Sequence, residues 1–264
     1  AGAEITGCEV YATVKSAGER VGGIVGHYQG GTLSGCKFYG KVNAATQYAG
    51  GIAGISSGVA SIKSCMVSGE IEGVNNCGGI IGKNENKLKG IQRLGGIVGD
   101  LFSSSSVKRC FVSGAVDGWG CIGGIVGRAC NGGWKADGSD YGNNIESCIV
   151  WLDNMTATRP ASDTNTKASS GAVVGFTATK NVLKDCVRKI GMKLTAEFYS
   201  NVYDQENAGP SNPLVIPESS VPADYIIFPY HGKAASGSNV SAIAQGLGWD
   251  ASIWDLSGAE PKLK

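Results

Sequence analysis

Cysteine is the residue type with the most chemistry to offer here, and the 264-residue chain carries nine of them. Thiolates bind soft metals, exchange disulfides and attack electrophiles. The spacing argues for none of these. There is no Cys-x-x-Cys pair and no Cys/His metal spacing, and an odd count does not make a closed disulfide framework. Six cysteines, Cys8, Cys36, Cys65, Cys110, Cys148 and Cys186, recur in one local context. Chemistry seldom needs six copies, whereas free Cys packs well as a small buried hydrophobe. The six are therefore expected to form a buried column. Cys77, Cys121 and Cys130 fall outside the series, and their disulfide state is left open.

Other reactive groups are sparse. The histidines are His27 and His231, and no His-Glu-x-x-His motif occurs; His27 is expected in a turn. Glu70, Glu72 and Asp117 share one phase of the repeat, just after the Cys segments. Glycoside hydrolysis needs two opposed carboxylates about 5–9 Å apart, and no acidic pair recurs. No catalytic residue is expected, with a polysaccharide lyase or glycosidase as the alternative. Asp137, Asp140 and Asn144 lie in one loop, 131–144, and offer oxygens of the kind Ca²⁺ takes. Their spacing fits neither the EF-hand loop nor the Gly-rich Ca²⁺ nonapeptide, and no other metal or cofactor is expected. The same loop holds Trp134 and Tyr141, and a second loop over about 153–170 holds Arg159. Trp134, Asp137, Asp140, Tyr141 and Arg159 thus read as an aromatic platform with polar flanks, suited to a sugar ring.

The elements that must position these loops are written as a repeat. Val21-Gly22-Gly23-Ile24-Val25-Gly26 recurs at Gly50–Gly54, Gly78–Gly82, Gly95–Gly99 and Gly123–Gly127, with a worn copy at Ser170–Gly175. The second glycines step by 28, 28, 17 and 28 residues. The ladder cysteines step by 28, 29, 45, 38 and 38, so the widest step absorbs the same extra 17 residues. That insertion covers roughly 83–94. Between motifs the chain reads apolar-x-x-Cys-x-Val-x-Gly-x-Val, bounded by Gly, Ser and Asn, which signals short strands and turns.

A fixed period of this length indicates a stacked array. The fold expected is all-β, a right-handed parallel β-helix with turns of about 28 residues. Ile24, Ile52, Ile80, Ile97 and Ile125 should form one aliphatic column beside that of the thiols. The paired glycines would permit either close strand approach or positive φ. Residues 1–195 form the repeat domain and 196–264 an irregular segment packed on the last turn. A short helix is expected over Ser241–Leu247, with Trp249, Trp254 and Leu256 covering the terminal edge.

The Gly-Gly-Ile-Val-Gly motif, followed by Cys-x-Val-x-Gly-x-Val, resembles the GLUG repeat of bacterial surface proteins of the Bacteroidetes type. Phe198–Asp204 and Gly248–Asp255 are similar to the closing segments of such arrays. The resemblance implies an exported, adhesin-like role at the cell surface, without catalysis. A net charge of +1 gives no drive toward nucleic acid. No apolar run is long enough to span a membrane. The chain is expected to be a monomer whose partner is a host or microbial glycan or a surface protein. A passive stalk for another domain is the further alternative.

Overall fold

The computed structural model describes residues 3–56, 60–78, 93–95, 98–101, 106–118, 121–129, 144–157, 169–177, 182–196, 214–215 and 232–264. The described chain is mostly strand, and the repeat strands pair in parallel.

One sheet sets Ala3–Thr6, Gly31–Ser34, Ala60–Lys63, Ser106–Lys108, Asn144–Glu146 and Val182–Lys184 side by side. Each strand pairs with the equivalent strand one repeat on. The register runs Ile5 to Leu33 to Ile62 to Val107 to Ile145 to Leu183. Leu33, Ile62 and Val107 are fully buried. Burying an aliphatic side chain contributes about 1.5–3 kcal/mol, so this column alone is a large share of the core.

A second sheet follows directly. Its strands include Glu9–Ser16, Lys37–Gly50, Met66–Gly78, Phe111–Gly118, Ile149–Trp151 and Val187–Lys189. Val10, Phe38, Val67, Val112 and Val150 align along its inner side and pack into the same core. Arg188 takes the next place in that column, buried, with Nη1 donating to the Lys189 carbonyl at 3.3 Å.

The corner between the two sheets has a feature the consensus hides. In every repeat the residue ahead of the ladder Cys is left-handed: Gly7, Gly35, Ser64, Arg109, Ser147 and Asp185, with φ between 49° and 65°. For the four residues with side chains this costs about 1–2 kcal/mol each. The tight corner persists because strand pairing on both sides fixes it.

The glycine pairs work by close approach rather than by positive φ. A Cβ on Gly23 would stand 2.1 Å from the Gly51 carbonyl oxygen and 2.3 Å from Phe38 Cδ2. Ile24 N donates to the Ile52 carbonyl at 3.0 Å, which sets these two isoleucines in neighbouring repeats. Ile52 and Ile125 are fully buried and Ile24 is half-buried. Ile125 N donates to the Val173 carbonyl, so the worn copy continues the same stack. Ile80 and Ile97 lie outside the described residues. His27 sits in a strand, Val25–Tyr28, opposite Ile55, and not in a turn.

The 17-residue unit is an added strand. Arg93–Gly95 pairs with Met66–Gly78 on one side, through Leu94 and Cys77, and with Cys121–Gly123 on the other, through Leu94 and Ile122. Meanwhile the first half of Met66–Gly78 pairs directly with Phe111–Gly118. The unit therefore adds a strand to one part of the sheet only.

The C-terminal segment sits only in part where the sequence places it. The strand Lys233–Ala235 joins the edge of Val187–Lys189 in parallel. The helix Val240–Gly246, capped by the Asn239 side chain accepting from Ala242 N, goes elsewhere with Trp249, Trp254, Leu256 and Leu263. These residues pack on Met66, Phe111 and Ile149, which are register neighbours on the outer side of the second sheet. The expected cap over the last turn is thus a cover over the flank. The reason is local: those three positions are apolar, and an apolar outer face needs a partner. Trp249 Nε1 donates to the Ser147 carbonyl at 2.8 Å, and Trp249 and Trp254 pack ring to ring at 4.4 Å. No helix among the described residues is long and apolar enough to cross a membrane.

Candidate functional site

The loop residues expected to bind a ligand, Trp134, Asp137, Asp140, Tyr141 and Arg159, lie outside the described residues. Of the Ca²⁺-type loop only Asn144 is described. Its Oδ1 is buried and has no hydrogen-bond partner among the described residues.

A different surface can be built atom by atom. The second sheet alternates inward and outward side chains, as strands must. Over Glu9–Ser16 the odd positions are exposed and the even ones half-buried. Register then lays the outward residues in a grid: Glu9 beside Lys37, Tyr11 beside Tyr39, Thr13 beside Lys41. The next repeat adds Met66, Ser68 and Glu70 to the three rows.

Tyr11 is the centre of the open part of this grid. It is 71% exposed, more than any other large apolar side chain among the described residues. Its ring stacks on Tyr39 with centroids 4.7 Å apart and planes 9° from parallel. The Tyr11 hydroxyl donates to the Glu9 carboxylate, and Lys37 Nζ lies 3.1 Å from the other Glu9 oxygen. Those contacts set the local charge states. The bond to Glu9 pushes the Tyr11 phenol up to about 12. The same bond, with help from Lys37, holds Glu9 below the ordinary carboxylate range. At neutral pH the site is therefore a neutral, oriented ring beside a compensated ion pair. Along the third row, Lys41 and Glu70 pair at 3.1 Å.

Lys37 is nearly buried while Glu9 reaches solvent, and pairs that reach solvent contribute about 0–1 kcal/mol each, so the grid is held chiefly by the sheet beneath it. What it offers chemically is a flat π-face with hydrogen-bonding groups at its rim. Sequence reasoning passed over it. The signal was available: Tyr11 and Tyr39 both stand three residues after a ladder Cys.

The ladder thiols are placed differently. Cys36, Cys65, Cys110, Cys148 and Cys186 are buried free thiols, and Cys8 is partly exposed. The thiols point at backbone carbonyls of the corner. Cys36 donates to Ser34 O at 3.3 Å and Ile5 O at 3.7 Å, Cys65 to Lys63 O at 3.2 Å, and Cys148 to Glu146 O at 3.4 Å. Burial pushes the Cys65, Cys110 and Cys186 thiols well above the ordinary value. Thiols pushed up in this way are poor nucleophiles, whereas a hydrogen bond from Cys65 holds the Cys36 thiol below the ordinary value. Cys77 and Cys121 stand on strands opposite Leu94 and Arg93, and Cys130 lies outside the described residues.

Of the candidate carboxylates, only Glu70 has its side chain among the described residues. Glu70 is engaged by Lys41, and its neighbour on the other side is Ala115. The backbone at Glu72 pairs with Asn43 and that at Asp117 with Thr156. No group of three or more His, Cys, Asp or Glu is gathered to hold a metal among the described residues. Compared with known proteins, the chain matches no protein-family model, no curated protein and no solved structure.

Proposed function

We propose that the chain is a non-catalytic, extracellular binding module of the GLUG-repeat type, built on a right-handed parallel β-helix, that contacts glycans through exposed aromatic rings. Support for the β-helix comes from the pairing order: strands of successive repeats are neighbours, in register, in more than one sheet. A chain that meets its own copy one period later in several sheets has a simple route, a coil of one turn per repeat.

The binding reading rests on one observation, the Tyr11 ring held open and parallel on Tyr39 with Glu9 and Lys37 at its edge. A pyranose presents a face of C–H groups to such a ring and hydroxyls to the ionic rim. Trp134, Asp137, Asp140, Tyr141 and Arg159 extend the same chemistry to the 131–144 and 153–170 loops. The engagement of Glu70 by Lys41 speaks against an acid–base pair and for a surface that binds without turnover.

A glycan array of host mucin and plant polysaccharide fragments tests this. The wild-type chain should bind a subset, and Tyr11→Ala should weaken that binding by about tenfold or more. Melting should be unchanged in the variant. A blank array for the wild type, or binding indifferent to Tyr11→Ala and to removal of residues 131–143, would sink the reading.

A further inference from the structure

The thiol column has one accessible step. Cys8 is partly exposed and Cys36, its neighbour, is buried. The adjacency is fixed by pairing on both sides: Thr6 lies opposite Ser34, Glu9 opposite Lys37, and Lys37 N donates to Cys8 O at 2.7 Å.

The spacing decides what such a pair can do. Neighbouring strands stand about 4.8 Å apart, and side chains in parallel register point the same way. Their Cβ atoms therefore keep nearly that separation. A disulfide wants Cβ atoms about 3.5–4.5 Å apart, so the pair stands just wide of that range. A metal–thiolate bond is about 2.3 Å long, so two of them in line span about 4.6 Å. That matches the step.

The surroundings set the ligand count. Ile5, Val10, Leu33 and Phe38 belong to the core around these thiols. Cys65 follows one step further along the column, on the side of Cys36 away from Cys8, and no group of three metal-binding side chains is gathered among the described residues. Two thiolates alone do not satisfy Zn²⁺, which takes four ligands, or Ca²⁺, which takes six to eight oxygens. Thiolates do select soft cations such as Cu(I).

We propose that Cys8 and Cys36 form a two-coordinate site for a soft monovalent cation of the Cu(I) or Ag(I) class. Binding places the cation in line between the two sulfurs and releases both thiol protons to solvent. The four deeper thiols extend the column but lack the opening.

Ag(I) titration of the full, reduced chain in chloride-free buffer provides the test. One tight equivalent is expected, and X-ray absorption at the silver edge should report two sulfur neighbours. Cys8→Ser should weaken uptake by more than about 100-fold, the upper end of what loss of a supporting group alone costs. Its melting temperature should stay close to wild type, since Cys8 is partly exposed. Cys186→Ser, at the far end of the column, should leave the tight equivalent in place. The proposal falls if no tight equivalent forms, if Cys8→Ser binds as tightly as wild type, or if the metal has nitrogen, oxygen or a third sulfur as ligand.

Discussion

The outer side of the second sheet is one surface with two halves, and the first residue after each ladder Cys separates them. In the first two repeats that residue is Glu9, exposed, and Lys37, nearly buried but paired with Glu9; the face is open at Glu9 and Tyr11, while Tyr39 already packs against the cover. In the next three it is Met66, Phe111 and Ile149, and the C-terminal helix and tryptophans lie on top. The corners differ in parallel: Gly7 and Gly35 lead into the open half, Ser64, Arg109 and Ser147 into the covered one. One backbone plan thus serves two ends. The scaffold sets where a side chain points, and one position per repeat decides whether the face meets solvent or the chain's own tail.

Substitutions can break that contrast, and the largest effect should come from the cover. Trp254 is fully buried against the apolar half. Trp254→Ala should cost about 3–5 kcal/mol in urea denaturation, and the uncovered Met66–Phe111–Ile149 stripe should then bind a hydrophobic dye. Trp249→Phe keeps the ring but removes the donor to Ser147 O. It should cost about 1–3 kcal/mol, the penalty for an acceptor left unsatisfied in the interior.

A change of opposite sign is expected at the corner. Arg109 holds a φ of 50°. Arg109→Gly should stabilise by up to about 1 kcal/mol, strain relief being partly offset by the freer unfolded chain. If the melt instead falls, the Arg109 side chain is contributing more than its backbone costs.

On the open half the same kind of truncation should be nearly silent for stability. Tyr11→Ala should move unfolding by less than about 0.5 kcal/mol; a larger loss would mean the open half is part of the fold's support. The smallest effect is with pH. Glu9 has its folded pKa lowered, so its contribution is present above the ordinary carboxylate value and is lost as pH falls through the lower folded value. Ultraviolet difference spectra of Tyr11 should therefore stay constant from neutral pH down through the ordinary carboxylate range and change only below it.

The columns of Ile52, Ile125 and the thiols could be read from the repeat, because a residue that faces its own copy is repeated for that reason. The cover could not. Met66, Phe111 and Ile149 occupy a position that reads Glu and Lys in the earlier copies, so averaging over repeats into a consensus erased the difference that matters. The left-handed corner was half hidden: Gly7, Gly35 and Asp185 are residue types that favour positive φ, whereas Ser64, Arg109 and Ser147 are not. The Tyr11 surface escaped notice because it requires two copies in register, not one motif. Arg188 breaks the interior pattern outright, a charge where earlier repeats place Val or Phe.

Between the strands that bear Cys65 and Cys110, which are immediate neighbours in their sheet, the chain crosses the Gly-Gly-Ile side twice, at Gly78 and again at Gly95. One flank has gained a storey of about 4.8 Å that the other lacks. A tower with an extra course of brick on a single wall cannot stay plumb. The described pairing thus wedges the stack at that point, and the repeats before and after it need not share one axis.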